Sequence, residues 1–456
     1  MSSSSAGIDP KHSLILRPSA LLSGGRLLDG HEVVIQGGQN IAIRLATGPV
    51  DLPGKLLIPG FVNAHSHAFQ RGLRGHVQWR SGRDDFWSWR ERMYGLATGL
   101  DPDGVEAVSA LAFLEMARAG FTTVGEFHYL HHSPDGQPYA DRDELAKRVI
   151  RAARRVGLRI TLLRVAYERP GFAQAENRRQ RRFYDRDADA VMDAVVRLER
   201  NRDPLVRIGL APHSVRACSR RWLQAFSAYP GSVHMHVSEQ ASENMQSVDE
   251  HQVSPTALLD EVGLLSERFT AVHMTWPTGG DADRLRKNGS RVCACPTTEL
   301  DLGDGFLQAD QLEGVPLCIG TDSHARIDPF AEIRALELHA RALQSRRNVF
   351  SPPEEPDGLA LHLLDAGSTQ GALALGWGDL GHGTVGQGAD WVAIDLSDPV
   401  LACARALPAL VMAGHVGMVT DSWVGGISVI TDRQHSLQVE ILLRAQEALA
   451  QAQAKA

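Results

Sequence analysis

Eight short apolar runs recur through the middle of the chain, at 57–64, 121–127, 159–166, 206–212, 232–237, 269–274, 291–295 and 316–321. Helix-like stretches separate them, among them "DGVEAVSALAFLEMARAG" and "DELAKRVIRAARRVG". Strands that alternate with helices form a parallel sheet with the helices outside, and eight such units close into a (β/α)8 barrel. The two ends of the chain read differently. Gly-punctuated β-like pieces, "HEVVIQG" and "NIAIRLA", precede the first apolar run, and "GTVGQGADWVAIDL" and "VGMVTDSWVGGISVI" follow the last helix. The expected fold class is therefore α/β. A TIM-like (β/α)8 barrel covers 57–381, and a small β-sandwich domain is built from both termini, residues 1–56 and 382–456. The tail "AQEALAQAQAKA" is expected to be a helix that frays. A chain of 456 residues has room for this arrangement, because a barrel of about 250 residues leaves long loops and a small second domain.

In such a barrel the chemistry sits where the strands end. The first run ends in "NAHSHAFQRG". Side chains at i and i+2 of a strand point the same way, so His65 and His67 face one object, and a metal ion fits two imidazoles. The fifth run, "VHMHVSE", supplies His234, His236 and Glu239. The sixth, "TAVHMTW", ends in His273, and the eighth, "LCIGTDSH", ends in Asp322 and His324. His236 is preferred over His234 as a ligand because Glu239 lies on the turn just beyond it; His234 is expected to pack or hydrogen-bond beside the site. Cys293 and Cys295 in "VCACP" read as small core residues. The cluster "RRQRRF" at 178–183 reads as a solvated loop edge.

Charge and composition exclude several classes. The formal net charge is -7, which argues against a nucleic-acid partner and leaves any anionic substrate to be captured by local arginines. Only five lysines occur, so arginine carries nearly all the positive charge. Five scattered cysteines imply no disulfide framework. The first residues lack the pattern of a signal peptide, and no stretch approaches the ~20 apolar residues of a membrane span. A cytoplasmic protein without a membrane partner is expected.

HxH after the first strand, His after the fifth and sixth, and Asp after the eighth resemble the amidohydrolase superfamily. Many of its members bridge two metals with a carboxylated lysine on the fourth strand. That strand here ends "RIGLAPHS", and none of the five lysines lies there. The "HVSE" turn resembles the mononuclear deaminase branch instead. "NAHSHAFQRG", "FTTVGEFHYLHH", "APHSVRA", "HMHVSEQ", "CPTTELDLGDG" and "GTDSHARIDP" closely resemble the formimidoylglutamate deiminases, over essentially the whole chain. Trp276 stands where that family commonly has a histidine.

The resemblance implies one zinc ion, or another divalent metal such as iron or manganese, on His65, His67, His236 and Asp322. It implies hydrolytic deimination of N-formimino-L-glutamate to N-formyl-L-glutamate and ammonia, a step of histidine degradation, by zinc-activated water. Glu239 shuttles the proton, Asp322 can accept the water proton while it ligates, and His273 orients the nucleophile. Arg216 and Arg90 are expected to clamp the carboxylates of the dicarboxylate, since the guanidinium fork suits them. Gln70, Tyr129 and His213 complete the polar pocket; His128, His131 and His132 receive no role. Arg90 also fits a solvated helix face, and Gln70, Tyr129 and His213 also fit packing roles. A homodimer is expected from the superfamily. Two rivals stay open: a mononuclear-metal deaminase of a purine or other ring substrate, and a catalytically inactive structural relative.

Overall fold

The computed structural model describes Lys11 and residues 13–78, 86–175, 177–352 and 354–455. Residues 1–10, read above as lacking a signal peptide, lie outside these. Eight parallel strands form one sheet in sequential order: β1 Phe61–Ser66, β2 Phe121–His128, β3 Arg159–Ala166, β4 Val206–Pro212, β5 Val233–Val237, β6 Phe269–His273, β7 Arg291–Ala294 and β8 Leu317–Ile319. Nearly every residue of these strands is buried, which is why they read as continuous apolar runs rather than alternating ones. The helix Pro102–Ala119 shows how the outer layer is cut to length. Asp101 caps its start by accepting from the Gly104 N–H at 2.8 Å, and Gly120, at φ 97°, stops it one residue before β2.

The barrel closes between β8 and β1. The N–H groups of Thr321 and Asp322 donate to the His65 carbonyl at 3.1 and 3.0 Å, and the His67 N–H donates to the Asp322 carbonyl at 3.0 Å. Asn63 stitches the same seam through its side chain, donating to Thr321 Oγ1 at 2.7 Å and accepting the Thr321 N–H at 3.0 Å. A Cβ on Gly320 would lie 2.7 Å from the Cβ of His65 and 3.0 Å from Cys295 Sγ, so the seam tolerates no side chain there. At the opposite, N-terminal end, the segment around Ala374 plugs the barrel: Trp377 Nε1 donates to Thr161 Oγ1 at 2.9 Å, and His234 Nε2 donates to the Ala374 carbonyl at 3.0 Å.

Both termini build a β-sandwich. One sheet is antiparallel, with strands Ser13–Leu16, His31–Gln36 and Gln39–Leu45 in that order. The other runs Ile427–Ile430, Val419–Val424, Trp391–Asp395, Leu52–Pro59, Pro18–Ser23, Arg26–Asp29. Leu16, Val33 and Ile35 from the first sheet pack on Leu21, Leu57, Trp391 and Trp423 from the second. Arg159 on β3 joins sandwich to barrel, bonding both carboxylate oxygens of buried Asp390 at 2.8 and 3.0 Å.

Three expectations need correction. The run expected as the first barrel strand, 57–64, is two strands. Residues up to Pro59 pair inside the sandwich, and β1 begins only at Phe61, because the chain passes from one sheet to the other at Gly60. The C-terminal tail is not a peripheral extension but the end of a packed helix, Gln438–Lys455. It buries Ile441, Ala445 and Ala452 among the barrel helices, and the Ala452 carbonyl lies so close to Gly99 that a Cβ there would meet it at 2.7 Å. The "RRQRRF" segment is only partly a solvated edge. Arg178, Arg179 and Arg181 are exposed, but Gln180, Arg182 and Phe183 are buried. Arg182 donates to the carbonyls of Ala97, Leu100 and His132, the last two at 2.7 and 2.8 Å. It thereby satisfies the carbonyl end of the helix Phe86–Gly99.

Candidate metal centre and active-site cleft

His65, His67, His236 and Asp322, from the ends of β1, β5 and β8, converge at the barrel mouth and are all buried. His65 Nε2 lies 3.2 Å from His67 Nε2 and 3.1 Å from His236 Nε2. Asp322 Oδ1 lies 3.3 Å from His65 Nε2 and 3.1 Å from His67 Nε2. Two of the opposite ring nitrogens are spoken for: His67 Nδ1 donates to the Phe127 carbonyl and His236 Nδ1 to the His213 carbonyl, each at 3.0 Å. Each bond fixes the tautomer, so the Nε2 atoms of His67 and His236 present lone pairs. Two lone pairs and a carboxylate oxygen then face one imidazole nitrogen, and a single N–H on His65 could satisfy only one of them. A cation relieves all the contacts together. Zinc–nitrogen bonds of about 2.0–2.1 Å in a tetrahedron would separate ligands by about 3.3 Å, so the observed spacings fit such an ion.

The electrostatics agree. Burial, with help from His67 and His273 and against the pull of Asp322, takes His65 down to about 3. Burial and the neighbouring imidazoles hold His236 well below its usual value. Burial opposes a charge on Asp322, but the contacts with His65 and His67 outweigh it and keep the carboxyl well below the carboxylate range. Neutral imidazoles beside an ionised carboxylate are the protonation states a metal ligand set requires.

The backbone is irregular around the site, at Asp322 among the four donors and at neighbouring strand ends. Ser238, His273, Met274, Asp322 and His324 all have φ between 43° and 76°, a left-handed conformation that costs a non-glycine residue on the order of 1 kcal/mol. Their clustering at the strand ends marks the mouth as the place where the fold gives up regular geometry.

A cleft opens beside the donor cluster. His67, His236, Glu239 and Asp322 line it. So do all five expected substrate residues: Gln70, Arg90, Tyr129, His213 and Arg216. The rings of Trp89, Tyr94, Tyr167, Phe172 and Phe183 make up much of the remaining wall. Gln70 donates to the Tyr129 hydroxyl at 2.6 Å, and His213 Nδ1 sits 3.0 Å from Ser214 Oγ. Arg90 lies over the Tyr94 ring, 5.7 Å from its centroid. Arg216 makes an unexpected contact: its Nη2 donates to Glu239 Oε2 at 2.6 Å, and its Nε lies 3.5 Å from Glu243 Oε2. It is thus also a partner of the expected proton shuttle.

His273 Nε2 lies 3.8 Å from Glu239 Oε1, and its Nδ1 lies 3.3 Å from Glu299 Oε1. Burial disfavours charge on this imidazole, but Glu239 and then Glu299 outweigh it and push His273 up to about 10. His234 shares the facing of His236 but sits two residues lower, about 6.6 Å along the strand, where it bonds the plug rather than the site. His128, His131 and His132 do not line the cleft; His131 and His132 bond the carbonyls of Val165 and Tyr184 at 3.0 and 2.9 Å. Trp276 is 45% exposed and donates to the Asp304 carbonyl at 2.7 Å.

Besides Glu243, the buried carboxylates Glu126, Glu299 and Asp304 escaped the sequence reading. Glu126 on β2 accepts from Ser66 Oγ at 2.6 Å and from the Ala68 N–H at 2.8 Å, gripping the chain on both sides of His67. Glu299 follows β7, and Asp304 accepts from Gln240, the neighbour of Glu239. Each was visible only as an acidic residue inside a run of small or apolar ones, "TVGEFHY" or "CPTTELDLGDG".

The chain is 35% identical over 401 residues to a formimidoylglutamate deiminase of Pseudomonas aeruginosa, covering 84% of this chain and 86% of that one. It is 27% identical to a 5'-deoxyadenosine deaminase of Methanothrix thermoacetophila, covering 79% and 84%. A crystal structure of an amidohydrolase from Brucella melitensis superposes with a TM-score of 0.89 at 32% identity, over 96% of this chain and 99% of that one. A zinc-bound adenosine deaminase from Xanthomonas campestris superposes with a TM-score of 0.82 at 25% identity, over 98% and 100%. Residues 56–429 match the amidohydrolase family from the last sandwich strand before β1 to beyond the barrel's end, and the chain belongs to that family of metal-dependent hydrolases.

Proposed function

We propose that the protein hydrolyses N-formimino-L-glutamate to N-formyl-L-glutamate and ammonia. One observation carries this reading: two arginines, Arg90 and Arg216, line the cleft that holds the donor cluster. A substrate with two carboxylates needs two such forks, and the net charge of -7 gives it no long-range attraction. The 35% identity to a formimidoylglutamate deiminase supports the same substrate.

His65, His67, His236 and Asp322 would hold a divalent ion, zinc in this reading, whose Lewis acidity would bring the pKa of a water to about 7. The chain's own groups do the rest. Arg90 and Arg216 hold the carboxylates and so fix the formimino carbon at the mouth. A guanidinium has five N–H donors, which lets Arg216 bridge substrate and Glu239 at once. Gln70, Tyr129 and His213 orient the polar chain of the substrate. Water adds to the carbon of the C=N bond; Glu239 takes one of its protons and passes it to the imino nitrogen, and the second proton, accepted by Asp322 or Glu239 as the C=O bond forms, passes to the same nitrogen. His273 donates to the developing oxyanion. The C–N bond breaks, ammonia leaves, and the carbon keeps the oxygen as a formyl group.

A second reading has its own support. The six aromatic rings of the cleft, Tyr129 among them, suit a ring substrate, and adenosine-type deaminases are among the relatives. Purified protein with its metal quantified, assayed for ammonia release from formiminoglutamate, adenosine and 5'-deoxyadenosine, separates the two. Release from formiminoglutamate alone is expected. Release from the nucleosides alone would replace the first reading with the second.

A further inference from the structure

We propose that Glu299 is a positioning residue: it accepts the Nδ1–H of His273 and thereby aims the Nε2 edge of that ring at Glu239 and the reacting oxygen. The inference rests on the hydrolase reading above and adds to it a residue that the reading does not use.

Glu299 lies in the first turn of the helix Pro296–Leu302, directly after β7, and is 1% exposed. Its Oε1 accepts the Cys295 N–H at 2.8 Å, which anchors the carboxylate to the strand end, and lies 3.3 Å from His273 Nδ1. A carboxylate this deep is costly unless paired, and among the described residues its ion-pair partner is His273. The histidine needs such an external hold. Its backbone is left-handed, at φ 76°, so ordinary strand geometry does not set the direction of its ring. The ring instead lies parallel to His236, 13° between planes and 5.4 Å between centroids, with one edge on Glu299 and the other 3.8 Å from Glu239 Oε1. Glu299, His273 and Glu239 thus form a line that ends at the cleft. The arrangement resembles in principle the carboxylate that orients a catalytic imidazole through its Nδ1–H.

The same residues admit a rival. Donor atoms of His273, Cys295 and Glu299 lie within 4.8 Å of one another, as a second metal site would require. Two features oppose it: Glu299 Oε1 already accepts the Cys295 N–H and faces the Nδ1 of His273, and burial pushes the Cys295 thiol well above its ordinary value.

The test uses the zinc-loaded full chain labelled with ¹⁵N-histidine. A downfield Nδ1–H proton resonance is expected, assigned by its loss in His273→Asn, and it should vanish or move upfield in Glu299→Gln. In steady state Glu299→Gln should lose about 10- to 100-fold in kcat, as partners behind a functional histidine typically do, with one equivalent of zinc retained. Its KM should change by less than about threefold, since no substrate contact is lost. Should Glu299→Gln not fold, Glu299→Asp keeps the buried charge while shortening its reach, and the same readouts apply. An unchanged resonance, an unchanged kcat, or a second equivalent of zinc that Cys295→Ser removes would each overturn the proposal. A wild-type protein inactive on formiminoglutamate would overturn the substrate reading alone, because the resonance does not depend on turnover.

Discussion

Two groups of metal-capable side chains sit side by side at the barrel mouth, and they differ in where their protons are. In the group of His65, His67, His236 and Asp322, the Nδ1 protons of His67 and His236 point away to backbone carbonyls, so lone pairs crowd the centre. In the group of His273, Cys295 and Glu299, the polar hydrogens point inward and the carboxylate already receives them. The environment moves the two key histidines in opposite directions, His65 down to about 3 and His273 up to about 10. Residue type alone would make both groups candidate metal sites. In the first group His65 and His236 are held neutral, as a ligand set needs; in the second, His273 is held charged between two carboxylates, as the proposed brace needs.

The sharpest way to break this contrast is to remove a ligand from the first group. Asp322→Asn should abolish turnover and leave zinc well below one equivalent by elemental analysis; retention of stoichiometric zinc would place the metal elsewhere. Chelation of the wild type should lower its Tm, because an ion that binds only the folded state stabilises it, while Asp322→Asn should show little further change. Next in size, Glu239→Gln should keep zinc and substrate binding but lose about 10²–10⁴-fold in kcat, the usual worth of general acid–base catalysis. Normal turnover would move the shuttle to another group. Arg216→Ala and Arg90→Ala should raise KM for formiminoglutamate by roughly 10- to 150-fold, the equivalent of a charged hydrogen bond, with zinc unchanged. An unaltered KM would remove that arginine from the binding of substrate. The smallest effect belongs to the second group: Cys295→Ala should leave zinc at one equivalent and cost on the order of 1 kcal/mol in denaturant unfolding.

Much of the fold was legible because barrel strands, buried on both faces, leave apolar runs at regular intervals. The exceptions are instructive. Nothing local divides "LLIPGFV" between two sheets; only the sandwich strands that pair with Leu52–Pro59 do so. The tail looked peripheral because its small residues carry little apolar signal, yet smallness is what lets Ala452 approach Gly99. Arg182 looked solvated among its neighbours because charge is read one residue at a time, whereas its burial depends on carbonyls that lie more than eighty residues away in the chain, at Ala97 and Leu100.

At the site, the HxH spacing and the residue ending each strand named the candidates and the family resemblance singled out His65, His67, His236 and Asp322, whose donor atoms the fold brings together. Strand periodicity and strand-end placement are properties of short segments, and a sequence carries them in full. The sequence could not say which imidazole loses its proton and which keeps it, nor that Arg216 would grip Glu239, nor that Glu299 would stand behind His273. Those outcomes follow from burial and from partners on other strands, and the free energy of a charge depends on everything packed around it. Only the closed barrel brings those neighbours together.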